Sequence, residues 1–176
     1  MSIVELGKDQ IEAFTGFLDE LSEGDLTFVK EPVTDPDTIR SWASPGAAGA
    51  RWLAMDGGSV TGFLEVLPLL GWSDHVGEIR LVVHPGHRGQ GLGRDLARRA
   101  LVHAADTGLT KLIVEIVAEQ EAHLSIFTSI GFTGEALLRD HIRDREGKLR
   151  DVIMLAHFLE DTNEDLAALG LLDELE

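Results

Sequence analysis

The chain has 176 residues, a hydrophobic share of 44% and a formal charge of −16, enough apolar material for one domain with a full core. No apolar run approaches the about 20 residues of a membrane span, and so acidic a chain is a poor partner for the phosphates of nucleic acid, so neither membrane nor nucleic acid is expected as a partner. There is no cysteine, which excludes disulfides, thiolate nucleophiles and zinc-finger sites; no metal is expected, and with no leader readable in residues 1–10 a cytoplasmic protein is expected.

In chain order, Ile3 to Leu6 reads as a short strand, and Asp9 caps a helix through about Leu21, with Ile11, Phe14, Phe17, Leu18 and Leu21 on one face. Gly24 ends that unit. Asp35-Pro36-Asp37 is an N-cap with proline in the first turn, opening a short helix through Trp42 and Ala43. Residues 44–49 form a loop. Arg51 to Met55 and Val60 to Leu67 then make a hairpin around Asp56-Gly57-Gly58-Ser59. A loop with Pro68, Gly71 and Trp72 leads into a central strand from about Val76 to Val83. A long helix runs from about Gln90 to Thr107 and stops at Gly108. Lys111 to Val117 is a buried strand, Glu119 to Ile130 a helix, and Leu137 to Asp144 with Leu149 to Phe158 a second hairpin around Glu146-Gly147. No repeat or linker divides residues 1–160. Residues 161–176 form an acidic tail carrying five leucines, either a docking helix or a frayed end.

The stretch V-V-H-P-G-H-R-G-Q-G-L-G, Val82 to Gly93, is the most informative. It joins a strand to a helix through Gly89, Gly91 and Gly93, where backbone N–H groups can turn toward a ligand with no Cβ in the way. The helix start adds unpaired donors and the positive end of its dipole, so a phosphate or pyrophosphate is the natural guest. A Walker A loop would need Gly-Lys-Ser/Thr, and Gly93 is followed by Arg94 and Asp95. A dinucleotide loop would need a glycine three residues beyond Gly91, where Arg94 stands.

From His87 to Gly93, behind a V-x-P turn, the chain resembles the GNAT family of N-acetyltransferases, whose pyrophosphate loop is Q/R-x-x-G-x-G/A. The order of elements, β-α-α-β-β-β-α-β-α-β-β, is also the family's. The resemblance implies an α/β (α+β) domain with a mixed, mostly antiparallel sheet of about seven strands flanked by about four helices. It implies acetyl-CoA as cofactor, held between the fourth and fifth strands by the backbone at Val82 and Val83 and by Arg88, Gly89, Gln90, Gly91, Leu92, Gly93 and Arg94. The expected activity is transfer of acetyl to a primary amine by direct attack in a ternary complex. Family members often dimerise, so a homodimer is a further partner to consider.

Acetyl transfer to an amine needs a base for the amine and a route for the thiolate to leave. Glu78 is the candidate base: it alternates with Arg80 and Val82 on one strand face, and apolar walls would raise its pKa. Equally, it can simply pair with Arg80. His84 and His87 read as turn residues facing solvent. Aligned on Gly131-Phe132, the family's N-x-x-A-x-x-L-Y-x-x-x-G-F becomes Q-E-A-H-L-S-I-F-T-S-I-G-F. Gln120 thus takes the position of an asparagine that bonds the cofactor arm, and Phe127 that of the tyrosine that protonates the thiolate. The chain has no tyrosine, so Ser125, Thr128 or water would substitute, or the thiolate leaves unassisted. That departure also admits a second class of function, a non-catalytic acyl-CoA-binding sensor or scaffold. His123, at the family's alanine position, is expected to face solvent. Trp42, Trp72 and His75 are candidates to line the acceptor cleft, and Arg139, His141 and Arg143 could border it from the late hairpin.

Overall fold

A computed structural model of the chain describes residues 1–26, 33, 35–144 and 146–159; the acidic tail expected at 161–176 lies outside the described residues. The strands are β1 (Ser2–Glu5), β2 (Ala50–Asp56), β3 (Ser59–Pro68), β4 (Val76–Val83), β5 (Lys111–Val117), β6 (Thr133–Arg143) and β7 (Leu149–Phe158). The helices are α1 (Ile11–Glu20), α2 (Glu23–Leu26), α3 (Pro36–Trp42), α4 (Leu92–Thr107) and α5 (Glu121–Thr128). The seven strands form one sheet in the order β1-β2-β3-β4-β5-β7-β6. Every neighbouring pair is antiparallel except β4 and β5.

Helices cover both faces, as the strict alternation along the strands requires. On one face Leu64, Ile79, Leu81 and Val114 pack under α4, with Phe127 and Phe132 at one end. On the other, Leu53, Phe63 and Val82 meet Phe14 and Phe17 of α1 and Ile39 and Trp42 of α3. Gly62 marks how closely α4 lies on β3: a Cβ there would stand 2.9 Å from Leu96 Cδ1.

Four local expectations need correction. Asp9 does not cap α1; a 3-10 turn at Lys8–Gln10 precedes the helix, and Gly7 N–H donates to Gln10 Oε1 at 3.0 Å. Gly24 does not end the first helical unit but sits inside α2, a fifth helix in place of about four. The strand β6 starts at Thr133, four residues before the expected Leu137, because it pairs with β7 from Ala156 inward. The long helix begins at Leu92, with Gly91 in a left-handed conformation (φ 89°) just before it. Asp35 does cap α3, accepting from Asp37 N–H at 3.1 Å, and Gly108 closes α4 with φ 76°.

Candidate functional site

The parallel pair is short. Partners run only from Val76 opposite Lys111 to Ile79 opposite Val114. Beyond that point Arg80–Val83 stay bonded to β3 and Glu115–Val117 to β7, so the two strands part and leave a notch in the sheet. Cavities lie on both sides of the parting.

The first is about 370 Å³ and is lined by Leu81 and Val83 from β4, by Gly89, Gly91 and Gly93, and by Ile126 of α5. Gly89 and Gly91 have φ of 74° and 89° with nothing within 4 Å of where a Cβ would be, so the loop leaves its backbone open. The first intrahelical bonds of α4 come from Arg94 and Asp95 N–H to Gly91 O, at 2.9 and 3.1 Å, which leaves the amides ahead of them outside the helical ladder. Arg88 and Arg94 add positive charge to this wall, and His87 lines it beside them. The structure therefore gathers the loop residues and the Val83 end of β4 around one cavity suited to a phosphate. Other named residues point elsewhere. The side chain of Val82 belongs to the opposite core, Leu92 is buried under the sheet, and Gln90 is exposed with Nε2 donating to Gly86 O at 3.4 Å.

Phe127 is not in that cavity either; it is 1% exposed, edge-on to Phe132 at 5.2 Å. The hydroxyl of Thr128 donates back to Leu124 O at 2.9 Å on the exposed side of α5. His123 was expected in solvent, yet one turn before Phe127 it is half-buried in the cavity wall. Burial first, and Arg88 second, hold its pKa below the usual histidine value, with Asp25 opposing. His84 is a turn residue as expected: Nδ1 accepts from Gly86 N–H at 3.1 Å and Nε2 faces Glu20 Oε2 at 3.1 Å.

The second cavity, about 320 Å³, lies beyond the end of β5, between α2 and the β6–β7 hairpin. Asp25, Val117, Gln120, Ile142, Asp144 and Arg150 line it. Gln120 is thus placed here and not beside the glycine loop. Ile142 and Asp144 face this cavity, whereas Arg139, His141 and Arg143 of the same hairpin are exposed.

On the α1/α3 face of the sheet runs a row of charges of which only the pairing of Glu78 with Arg80 was expected. Arg51 Nη2 meets Glu65 Oε1 at 2.5 Å, and Arg80 Nη1 donates to Glu65 Oε2 at 3.0 Å. Strand register sets the row, since Arg51 is opposite Glu65 and Glu65 opposite Arg80. Glu78 joins it, with Oε1 3.6 Å from Arg80 Nε and its side chain 13% exposed. Its flanks are apolar, Leu67 on one side and Ile113 on the other, so both expected surroundings of Glu78 are present together. Desolvation raises the pKa of fully buried Glu65, against the opposing pull of Arg51, and lowers those of Arg51 and Arg80. One signal for the row was legible: Glu65 interrupts the apolar run Val60 to Leu67, in a hairpin whose turn sets it against Arg51.

The three candidate cleft residues are scattered. Trp42 is in the core, stacked on Phe63 at 5.9 Å with Arg51 Cζ 4.6 Å from its ring centre. Trp72, 96% exposed, and His75, also exposed, lie at the N-terminal end of β4, away from the parting.

The sequence and the fold both have relatives among known proteins. N-acetyltransferase 8F1 of Rattus norvegicus is 32% identical over 97 residues, covering 52% of this chain and 44% of its own length, so the chain matches less than half of that relative. The ribosomal-protein-alanine N-acetyltransferase of Brucella melitensis shares the fold with a TM-score of 0.79 at 21% identity, over 90% of this chain and 100% of that one. The yncA protein of Salmonella typhimurium, solved with its cofactor acetyl-CoA, does so with a TM-score of 0.76 at 22% identity, over 91% and 94%. Residues 16–132, from α1 through Phe132 and including the parted strands and the glycine loop, match the family's sequence profile, and the chain belongs to the acetyltransferase (GNAT) family.

Proposed function

We propose that the chain is an acetyl-CoA-dependent N-acetyltransferase acting on a primary amine. The observation that carries this is the open glycine loop at the start of α4, set beside parted parallel strands with cavities on both sides. The amides ahead of Arg94, with Arg88 and Arg94, would hold the pyrophosphate, and the backbone end of β4 the adjoining arm. Acetyl-CoA bound there supplies an activated acetyl thioester. Glu78, on the face away from the glycine loop and 3.6 Å from Arg80 Nε, takes the proton from the incoming amine. With no cysteine in the chain, direct attack by the amine is the simplest route. Phe127 has no proton to give the departing thiolate, so water serves. A cytoplasmic setting belongs to the same reading.

The buried, phenol-free position 127 also favours a second reading, an acyl-CoA-binding sensor without turnover. One experiment separates them: calorimetric titration with acetyl-CoA, followed by thiol release with spermidine, L-methionine and a peptide with N-terminal alanine, the last suggested by the name of the Brucella enzyme. Binding with amine-dependent thiol release supports the transferase. Binding without release on any amine supports the sensor, and absence of binding removes both.

A further inference from the structure

The two cavities share a wall, and that wall is an ion pair. Arg88 lines the loop cavity, Asp25 lines the second one, and Arg88 Nη2 meets Asp25 Oδ1 between them. Arg88 is held there by another bond, its Nε donating to Val83 O at 3.1 Å, at the very end of β4. Asp25 is carried in by α2 and also accepts from Ser22 Oγ at 2.6 Å. Across the second cavity, Asp144 and Glu119 already have a guanidinium of their own, with Arg150 Nε 3.0 Å from Asp144 Oδ2 and Nη1 3.5 Å from Glu119 Oε1. The cation on Asp25 alone is borrowed from the other cavity.

A pyrophosphate in the glycine loop would compete for that cation. It offers more charge and paired oxygens, which suit a guanidinium fork better than one carboxylate oxygen. Asp25 is 13% exposed while paired, and when Arg88 turns away it keeps the Ser22 hydroxyl and the neighbouring His123 but loses its guanidinium, so a cationic ligand is favoured in its place. An ammonium entering the second cavity is that cation. Resting on the acetyltransferase reading above, we propose that Asp25 receives the ammonium of the acceptor, and that Arg88 withholds it until the cofactor draws Arg88 away, so that the cofactor precedes the amine.

The test uses the full chain with D25N, R88Q and the double substitution, coenzyme A in calorimetry, and the same three amines in thiol release. Asp25→Asn removes a competitor for Arg88, so coenzyme A should bind about two- to fivefold more tightly, the range a partly exposed ion pair converts to. The KM of the amine used should rise about tenfold or more, the loss expected when a charge-assisted hydrogen bond is removed, with kcat little changed. In the R88Q background Asp25→Asn should leave coenzyme A affinity unchanged. Arg88→Gln alone changes a half-exposed loop residue and should let the amine bind without coenzyme A, which the wild type should not. Unchanged or weaker coenzyme A binding by D25N, an unchanged amine KM, or an R88Q protein that still needs coenzyme A for amine binding would each overturn the proposal. Failure of the wild type to bind coenzyme A would instead remove the acetyltransferase reading itself.

Discussion

Glu65→Gln should be among the most damaging single changes to this fold. The side chain of Glu65 is fully buried and its two oxygens serve two guanidinium groups, Arg51 and Arg80, which are themselves 6% and 10% exposed. The substitution keeps the shape but takes from buried Arg51 its carboxylate partner, whereas Arg80 keeps Glu78, 3.6 Å from its Nε. Removing one partner of a buried pair costs about 3–5 kcal/mol, because the partner stays behind without compensation. With a urea slope of about 2 kcal/mol per molar, the unfolding midpoint should fall by about 1.5–2.5 M. The stack of Arg51 on Trp42 survives the change and offsets only a small part, about 0.5–1 kcal/mol. The companion variant R51M/E65L removes both members of that pair, leaves Arg80 with Glu78, and should recover most of the loss, since apolar replacement of a buried ion pair is often neutral or better. Urea titrations followed by tryptophan fluorescence give both numbers. A loss under about 1 kcal/mol for Glu65→Gln, or a double variant no better than the single one, would refute the reasoning that this row is held by mutual charge compensation.

Further consequences are within reach of simple assays. Gly91→Trp imposes φ 89° on a residue with a Cβ, a strain of about 1–2 kcal/mol, and should abolish acetyl-CoA binding in calorimetry while the protein remains folded by circular dichroism. Glu78→Gln should leave acetyl-CoA binding intact and slow thiol release chiefly below the pKa of the amine, whereas unchanged rates there would remove Glu78 as base. Stability should fall as pH drops below about 6.5, because His103 and His123 have folded-state pKa values lowered by burial and the unfolded chain takes up their protons first. His103→Gln should flatten that acid limb in thermal melts, and a limb of unchanged slope would count against it.

The skeleton of the site was legible because it rests on local chemistry. Proline after a β-branched run, glycines at alternate positions and an apolar helical period each act within a few residues, and they located β4, the loop and α4 almost to the residue. What the sequence hid was long-range. Asp25 meets Arg88 across 63 positions, a contact no periodicity announces. The row Arg51–Glu65–Arg80 depends on the register of three strands, for which the hairpin turn supplied one half and nothing local the other. Phe127 stands where the family pattern was expected to carry a tyrosine, but an aromatic ring without a hydroxyl follows its apolar surface into the core. His123 went the other way, since half-burial in a cavity wall depends on what the loop opposite leaves open.

The overall charge of −16 and the local charge of the two cavities act at different distances. An anionic cofactor approaching from afar meets a repulsive field, and only near the loop does it find Arg88, Arg94 and the start of α4. A cationic amine is attracted all the way in, toward Asp25, Glu119 and Asp144. Screening separates the two, since the Debye length shrinks from about 30 Å at 0.01 M salt to about 8 Å at 0.15 M. Over that range the amine should lose most of its long-range attraction, while the cofactor loses a repulsion and keeps short-range contacts that salt screens less. Stopped-flow association should therefore slow for spermidine and quicken or hold level for coenzyme A as salt rises. If both slow alike, the long-range field around the loop is attractive to anions in spite of the net charge, and the cationic groups of the loop outweigh the acidic surface around them.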